Sequence, residues 1–355
     1  MRRWSAVVSG KSPSDFPDAL PARAGFTFGE PANLYVALLF FANSNIFADG
    51  FSSDGLEMFV ESDLAGGQGR FDIWVLKRAS PEDDWGPPEN LGPAANSASM
   101  DQAASISGDG LELYFFSNRP EGYGNFDFYV TRRATRTSPW GPATNLSPKV
   151  NSSYAEIGTS VSSDGLELYL SSDRPGGLRS SDIYVSKRAT TGDPWGDPVN
   201  LGPAVNSPFS ENRPCLSPDG LLLLFQGYRP GGFGNVDLWM TRRASRTAPW
   251  EPAVNIGPII NSPNMDVGPC LAPDGSALYF ARDWSDRRDK PCKAPIIPAV
   301  DFNGDKTVNL VDLAMLIRSW ATNATFCDIG PMPWGDGKVD MEDMKVFMTY
   351  WQKTN

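Results

Sequence analysis

The chain has 355 residues, a formal net charge of −11 from 31 Lys and Arg against 42 Asp and Glu, and no histidine. Without imidazole it can hold no Ser-His-Asp triad, no Cys-His nucleophile pair and no histidine-ligated zinc. The acidic balance repels phosphate backbones and argues against nucleic acid as a partner, and no apolar run approaches the ~20 residues of a membrane span.

Residues 1–27 open the chain without an assigned element. Met1-Arg2-Arg3 is not followed by a hydrophobic region of signal-peptide length, so an export signal is either missing from this sequence or not used. From residue 28 a repeat takes over. Asp54, Asp109, Asp164, Asp219 and Asp274 each precede a glycine, and each lies the same distance along the chain from the one before. Asp72, Asp127, Asp182 and Asp237 open an Asp-apolar-aromatic triplet on the same stride, and Asn96, Asn151, Asn206 and Asn261 each precede a serine. A fixed stride of this length means stacked copies of one supersecondary unit.

The copy that starts at Asp101 shows what the unit is. Gln102 to Ser107 is built of small residues, as an innermost strand needs where blades converge on an axis. Asp109-Gly110 supplies a hairpin turn. Leu111 to Phe116 is rich in aromatic and large aliphatic residues and reads as a strand buried on both faces. After a glycine-bearing loop, Phe126 to Val130 gives a third strand. Trp140 to Leu146 contains a proline, which confines it to a sheet edge. Four strands per copy and five Asp-Gly hairpins predict an all-β fold, a five-bladed propeller over 28–290. The Trp-led outer strand follows four of the hairpins, and its missing fifth copy is Phe28-Gly29-Glu30-Pro31-Ala32-Asn33-Leu34. The closing blade is therefore expected to be shared between the two ends of the repeat region, although Leu278 to Trp284 is followed by no obvious third strand.

Pro291, Pro295 and Pro298 mark 291–300 as a stiff linker, and 301–355 reads as a separate module. Asp301, Asn303, Asp305, Thr307, Asn309 and Asp312 fall at positions 1, 3, 5, 7, 9 and 12 of a twelve-residue loop, the spacing that wraps oxygen ligands around one hard cation, with Thr307 offering its carbonyl. Leu313, Leu316, Ile317 and Trp320 then fall on one helical face. A second copy follows, with Asp336, Lys338, Asp340 and Asp343 in the places of Asp305, Thr307, Asn309 and Asp312. Its first positions hold Met332 and Trp334, so Asp328 from a Pro-rich loop would complete that set.

Such a tandem loop-helix pair, over about 301–352, resembles the dockerin family. The resemblance implies bound Ca²⁺, a cohesin-like or other docking protein as partner, and an extracellular or cell-surface setting. Leu310-Val311 and Met341-Glu342 stand where dockerins carry small hydroxyl recognition residues. The larger region, about 28–284, is similar to the WD40-like propeller repeat of the TolB type in Ser217-Pro218-Asp219-Gly220, Leu221 to Phe225, Arg229-Pro230-Gly231-Gly232 and Asp237-Leu238-Trp239. That resemblance implies a binding and scaffolding fold and names no ligand.

Candidate chemistry is confined to a few repeated positions. Asp101, Glu156, Glu211 and Asp266 stand just before successive innermost strands, so four blades are expected to present a carboxylate toward one end of the channel. Such a ring could hold a cation or a hydroxyl-rich ligand, supply an acid and base pair for a glycosidic bond, or accept hydrogen bonds from turns in its own blades. Trp85, Trp140, Trp195 and Trp250 either stack on sugar rings or staple the core. Tyr123, Leu178 and Phe233 vary at the loop tips, where recognition usually lives. The pairs Lys77-Arg78, Arg132-Arg133, Lys187-Arg188 and Arg242-Arg243 are expected to cap strand ends in solvent, and Cys215 and Cys270 share one position of successive inner strands. Two functions follow: a secreted interaction or carbohydrate-recognition propeller tethered by its last module to a polysaccharide-processing assembly, or a propeller glycoside hydrolase with paired axial carboxylates.

Overall fold

The computed structural model describes residues 26–34, 44–178, 180–283, 289–298, 300–302, 308–321, 327–329 and 338–354. They divide into two compact units, one over Gly29–Pro295 and one that combines the residues up to Phe28 with those from Ile296 on.

Two short strands, β1 (Phe26–Phe28) and β2 (Ala32–Asn33), precede the repeat. Blade 1 is β3 (Ile46–Phe51), β4 (Glu57–Ser62), β5 (Asp72–Lys77) and β6 (Glu89–Asn90). Blade 2 is β7 (Asp101–Ile106), β8 (Glu112–Ser117), β9 (Asp127–Arg132) and β10 (Thr144–Asn145). Blade 3 is β11 (Glu156–Val161), β12 (Glu167–Ser172), β13 (Asp182–Lys187) and β14 (Val199–Asn200), and blade 4 is β15 (Glu211–Leu216), β16 (Leu222–Gly227), β17 (Asp237–Arg242) and β18 (Val254–Asn255). In each of these sheets chain order is spatial order, and each pairing is antiparallel. The fold is the five-bladed β-propeller that the stride predicts.

Local chemistry explains each step. Gly110 takes φ +76° at the turn between β7 and β8, a conformation that glycine adopts without a steric cost. Asp109 fixes that turn by accepting from Ser107 Oγ at 2.6 Å and Leu111 N at 2.9 Å. Tyr114 and Phe115 of β8 are fully buried, on opposite faces of one strand. The core accordingly runs between blades, where Tyr114, Phe128 and Leu146 of one meet Leu168, Leu170 and Trp195 of the next. Asn151 shows what the repeated Asn-Ser does: its amide side chain pairs with the backbone of Phe128 like an extra strand residue, accepting from N at 2.8 Å and donating to O at 3.0 Å.

Blade 5 corrects the linker expected at 291–300. β19 (Asp266–Leu271) and β20 (Ala277–Asp283) are followed by β21 (Asp289–Pro298), the third strand that sequence patterning missed. Its prolines are tolerated because Pro291 and Pro295 point their backbone edge outward, away from β20, so their missing amides break no bond to it. Their carbonyls still accept, from Leu34 N at 2.9 Å and Gly29 N at 2.8 Å. β2 completes the outer edge, Ala32 opposite Lys293 and Asn33 opposite Cys292, so the closing blade is shared as expected.

In the second unit, β1 pairs with the end of β21 from Phe26↔Pro298 to Phe28↔Ile296. Among the described residues two helices follow, α1 (Leu310–Arg318) and α2 (Met341–Thr354), over a core of Val300, Leu316, Cys327, Ile329, Val339 and Phe347. Their N-termini repeat the same cap, once at Asn309 and again at Asp340. Asn309 accepts from Val311 N at 2.8 Å while Asp312 accepts from Asn309 N at 2.9 Å. Asp340 accepts from Glu342 N at 2.9 Å while Asp343 accepts from Asp340 N at 2.6 Å. Each helix thus satisfies two end amides reciprocally. Of the residues expected on one face of α1, Leu316 is buried whereas Ile317 and Trp320 are exposed. Among the described residues no helix is long and apolar enough to cross a membrane.

Candidate functional site

The acids Asp101, Glu156, Glu211 and Asp266 do not face an open channel. All four are fully buried, and each is held inside its own blade by the serine four residues before it and an arginine 16 to 18 residues after it. Asp101 accepts from Ser97 N at 2.7 Å, Ser97 Oγ at 2.8 Å and Arg119 Nη2 at 2.5 Å. Glu156 takes Ser152, Ser172 and Arg174, Glu211 takes Ser207 and Arg229, and Asp266 takes Ser262 and Arg282. Burial pushes Glu156 and Glu211 above the usual carboxylate range, and the serine and arginine partners offset it only in part. With these partners the ring fastens each blade's entry turn, and its members share one environment instead of the unlike environments that separate an acid from a base.

The repeated tryptophans are no open stacking platforms either. Arg78, Arg133, Arg188 and Arg243 lie 4.3, 4.5, 4.3 and 4.5 Å over the rings of Trp85, Trp140, Trp195 and Trp250, and Trp140, Trp195 and Trp250 meet Phe59, Tyr114 and Tyr169 of the preceding blade edge-on. Each ring is a staple between blades. This also corrects the expectation for the basic pairs. Their first members, Lys77, Arg132 and Lys187, have exposed side chains that pair with Glu89, Glu112 and the buried Glu167, whereas Arg133, Arg188 and Arg243 are themselves buried.

Two regions remain where the copies differ. The first is the face on which the inner strands begin. There the loop between the second and third strands meets the entry turn of the next blade, bridged at Phe71↔Met100, Phe126↔Ala155 and Val236↔Met265. Gly124 permits this approach, since a side-chain carbon there would come within 2.0 Å of the Tyr154 carbonyl. These loops expose Tyr123, Tyr154, Leu178, Phe209, Tyr228 and Phe233, between 38% and 53% of each residue. Sequence reading found the three loop-tip positions; it missed Tyr154, Phe209 and Tyr228, whose signal is that large apolar side chains replace polar residues at the same step of other copies.

The second region is the axis. Ala48, Ala103, Gly158, Arg213 and Gly268, one from each inner strand, line a narrow cavity there. Arg213 stands at φ +50° where two of the other copies carry glycine, in a conformation that strains an L side chain. It bonds Glu61 of blade 1 through Nη2 at 2.7 Å and brings Nη1 to 3.6 Å from Asp49. Glu61 also accepts from Ala103 N at 2.7 Å and Gln102 Nε2 at 3.0 Å. None of these three charged residues recurs in the other copies, so the repeat pattern of the sequence does not mark them.

Of the residues expected to bind calcium, Asn303, Asp305, Thr307 and Asp336 lie outside the described residues. Asp301, Asn309 and Asp312 of the first loop and Asp328, Lys338, Asp340 and Asp343 of the second are described. Asp312 and Asp343 are fully buried at the third position of their helices, and Asp343 accepts from Ile329 N at 2.6 Å as well as from Asp340 N. A carboxylate has about four lone-pair sites. The expected ligands are of the all-oxygen type that Ca²⁺ takes, and among the described residues no three acids or cysteines group to hold a metal ion. The four cysteines are thiols.

No protein-family model matches the sequence, and no curated protein matches it. Solved structures do resemble it. TolB from Acinetobacter baumannii is 16% identical over 70% of this chain and 54% of its own, with a TM-score of 0.45. An α-L-arabinofuranosidase from Lactobacillus brevis is 13% identical over 70% and 90%, with a TM-score of 0.49. A second, from Podospora anserina in complex with cellotriose, is 12% identical over 78% and 98%, with a TM-score of 0.48. The assignment as a five-bladed propeller rests on the five sheets themselves.

Proposed function

We propose that this protein is a secreted carbohydrate-recognition propeller, attached through its C-terminal loop-helix module to a polysaccharide-processing assembly. The observation that carries the reading is the exposed set Tyr123, Tyr154, Leu178, Phe209, Tyr228 and Phe233, gathered at the face where the inner strands begin. An aromatic ring presented on a braced loop offers a sugar ring an apolar face with little ordering cost. The rival reading, a glycoside hydrolase, drew on Asp101, Glu156, Glu211 and Asp266, and those acids are engaged by serine and arginine partners.

The tether rests on the module's own surface. Leu310 and Ile317 of α1 and Met341 and Met348 of α2 are exposed. Leu310 corresponds to Met341 in the internal repeat and Ile317 to Met348, so the two halves offer matching apolar contacts to a docking protein of the cohesin type. Ca²⁺, held by Asp301, Asn303, Asp305, Thr307, Asn309 and Asp312, would fix the first loop.

A glycan array and a polysaccharide-hydrolysis panel run on the full chain test the reading. Binding to a defined glycan set, weakened at least ~10-fold by Tyr123→Ala or Phe233→Ala, is expected, as for loss of one well-packed aromatic contact. Sugar release from any polysaccharide would move the assignment to the hydrolase.

A further inference from the structure

We propose that the axial cavity beside Asp49 is a binding site for a small ligand carrying a protonated amine. Asp49 stands where the other copies have Ala104, Thr159, Pro214 and Pro269; Glu61 stands where they have Phe116, Ser171, Gln226 and Ala281. The scaffold is built four times without these acids, so blade construction does not require them.

Charge at the site does not balance. One guanidinium, that of Arg213, faces two carboxylates. Its short bond goes to Glu61, whose oxygens also accept from Ala103 N and Gln102 Nε2. Asp49 has the longer contact at 3.6 Å, its side chain is 3% exposed, and its Oδ2 is buried with no hydrogen-bond partner. A buried carboxylate oxygen without a partner is costly, and each such atom calls for an explanation, a bound water or ion among them. Burial and the charge of Glu61 push the Asp49 carboxyl well above the usual range, against the pull of Arg213 and of the Ala104 and Glu61 backbone amides.

Shape and lining select the ligand. Asp49 lines both the narrow cavity at Arg213 and a larger one of about 140 Å³ between the hairpins, ample for one small organic molecule, since a water's share of liquid volume is about 30 Å³. The larger cavity is walled by neutral groups, among them Ser105, Ser160, Cys215 and Cys270, with no lysine or arginine on its lining. A hydroxyl could satisfy Oδ2 but would leave the negative charge. A divalent metal wants more anionic ligands, and among the described residues no three acids or cysteines group to hold one. A protonated amine brings one positive charge and up to three donors. This site is separate from the aromatic loop face and does not depend on the carbohydrate reading.

The test is calorimetric titration of the full chain with ethanolamine and, in parallel, ethylene glycol, which differ by the ammonium group alone. Ethanolamine should bind and the glycol should not, and Asp49→Asn, nearly identical in shape, should weaken ethanolamine at least tenfold. Because that variant could disturb the strand, a second measurement uses the unaltered protein. Ethanolamine, and not the glycol, should slow alkylation of Cys215 and Cys270, which share the cavity wall. Equal binding of both compounds, unchanged binding by Asp49→Asn, or unprotected thiols would each overturn the proposal; the last two would assign any amine binding to the acidic surface.

Discussion

Arg133 reaches back 76 residues to fork onto Glu57 of the preceding blade, Nη1 to Oε1 at 2.9 Å and Nη2 to Oε2 at 2.5 Å. Arg188 reaches Glu112 at 2.9 Å and Arg243 reaches Glu167 at 2.8 Å, each over the same 76 residues. One full repeat plus the distance from second strand to third gives that separation, so three blade junctions close with the same bond.

Because the Arg133 side chain is 3% exposed and that of Glu57 12%, removing one partner strands a charge. Arg133→Ala is expected to lower unfolding free energy by about 3–5 kcal/mol, read from urea melts. It removes the cation over Trp140 as well. A cost under ~1 kcal/mol, the range of an exposed pair, would mean that the junction is held by apolar packing alone.

The same bond sets a pH response. Burial by itself would raise Glu167, but Arg243 and Lys187 outweigh it and hold its carboxyl below the ordinary 4.5. A carboxyl lowered by folding stabilises the fold above its ordinary pKa, and that contribution is lost as pH falls through the depressed folded value. Glu167→Gln should therefore lower Tm at pH 7, with the gap to the unaltered protein narrowing as pH falls below about 4.5. Glu156 and Glu211 shift upward and act in the opposite sense, so the whole-protein melt alone would hide the effect. A gap that widens on acidification would refute the assignment.

Closure of the ring makes its own demand. Deleting residues 1–34 removes β2 and the Gly29 and Leu34 amides that bond Pro295 and Pro291. That leaves the outer edge of blade 5 unpaired. Thermal unfolding followed by circular dichroism should lose its single cooperative transition, and an unchanged melt would show that β19–β21 stand alone.

Calcium provides a fourth measurement. Titration of the full chain should give binding in the range of about 10⁻⁶ to 10⁻³ M, abolished at the first loop by Asp305→Ala. Metal should also raise Tm, since a ligand that binds only the folded state stabilises it. Asp312→Asn keeps the cap on Asn309 but removes a ligand charge, so weaker calcium binding with an intact helix separates the two roles of that residue.

The architecture can be read from the chain, because a propeller blade is assembled from short-range devices that a fixed stride makes visible. Asp109-Gly110 encodes a turn that neighbours alone can form, and the aromatic run to Phe116 encodes a strand buried on both faces. The shared closing blade was legible for the same reason, as an outer strand lacking at one end and present at the other. What the repeated side chains touch depends instead on how the chain folds back on itself. Arg119 shows it: the sequence places it in the loop that follows β8, and nothing local says that the chain folds back to put its guanidinium on the Asp101 carboxylate. The prolines of β21 misled for a related reason, since whether a missing amide matters depends on which edge of a strand it faces. The axial meeting of Asp49, Glu61 and Arg213 lay furthest from view, because Arg213 and Glu61 are 152 residues apart and only closure of the ring brings non-adjacent blades to one axis.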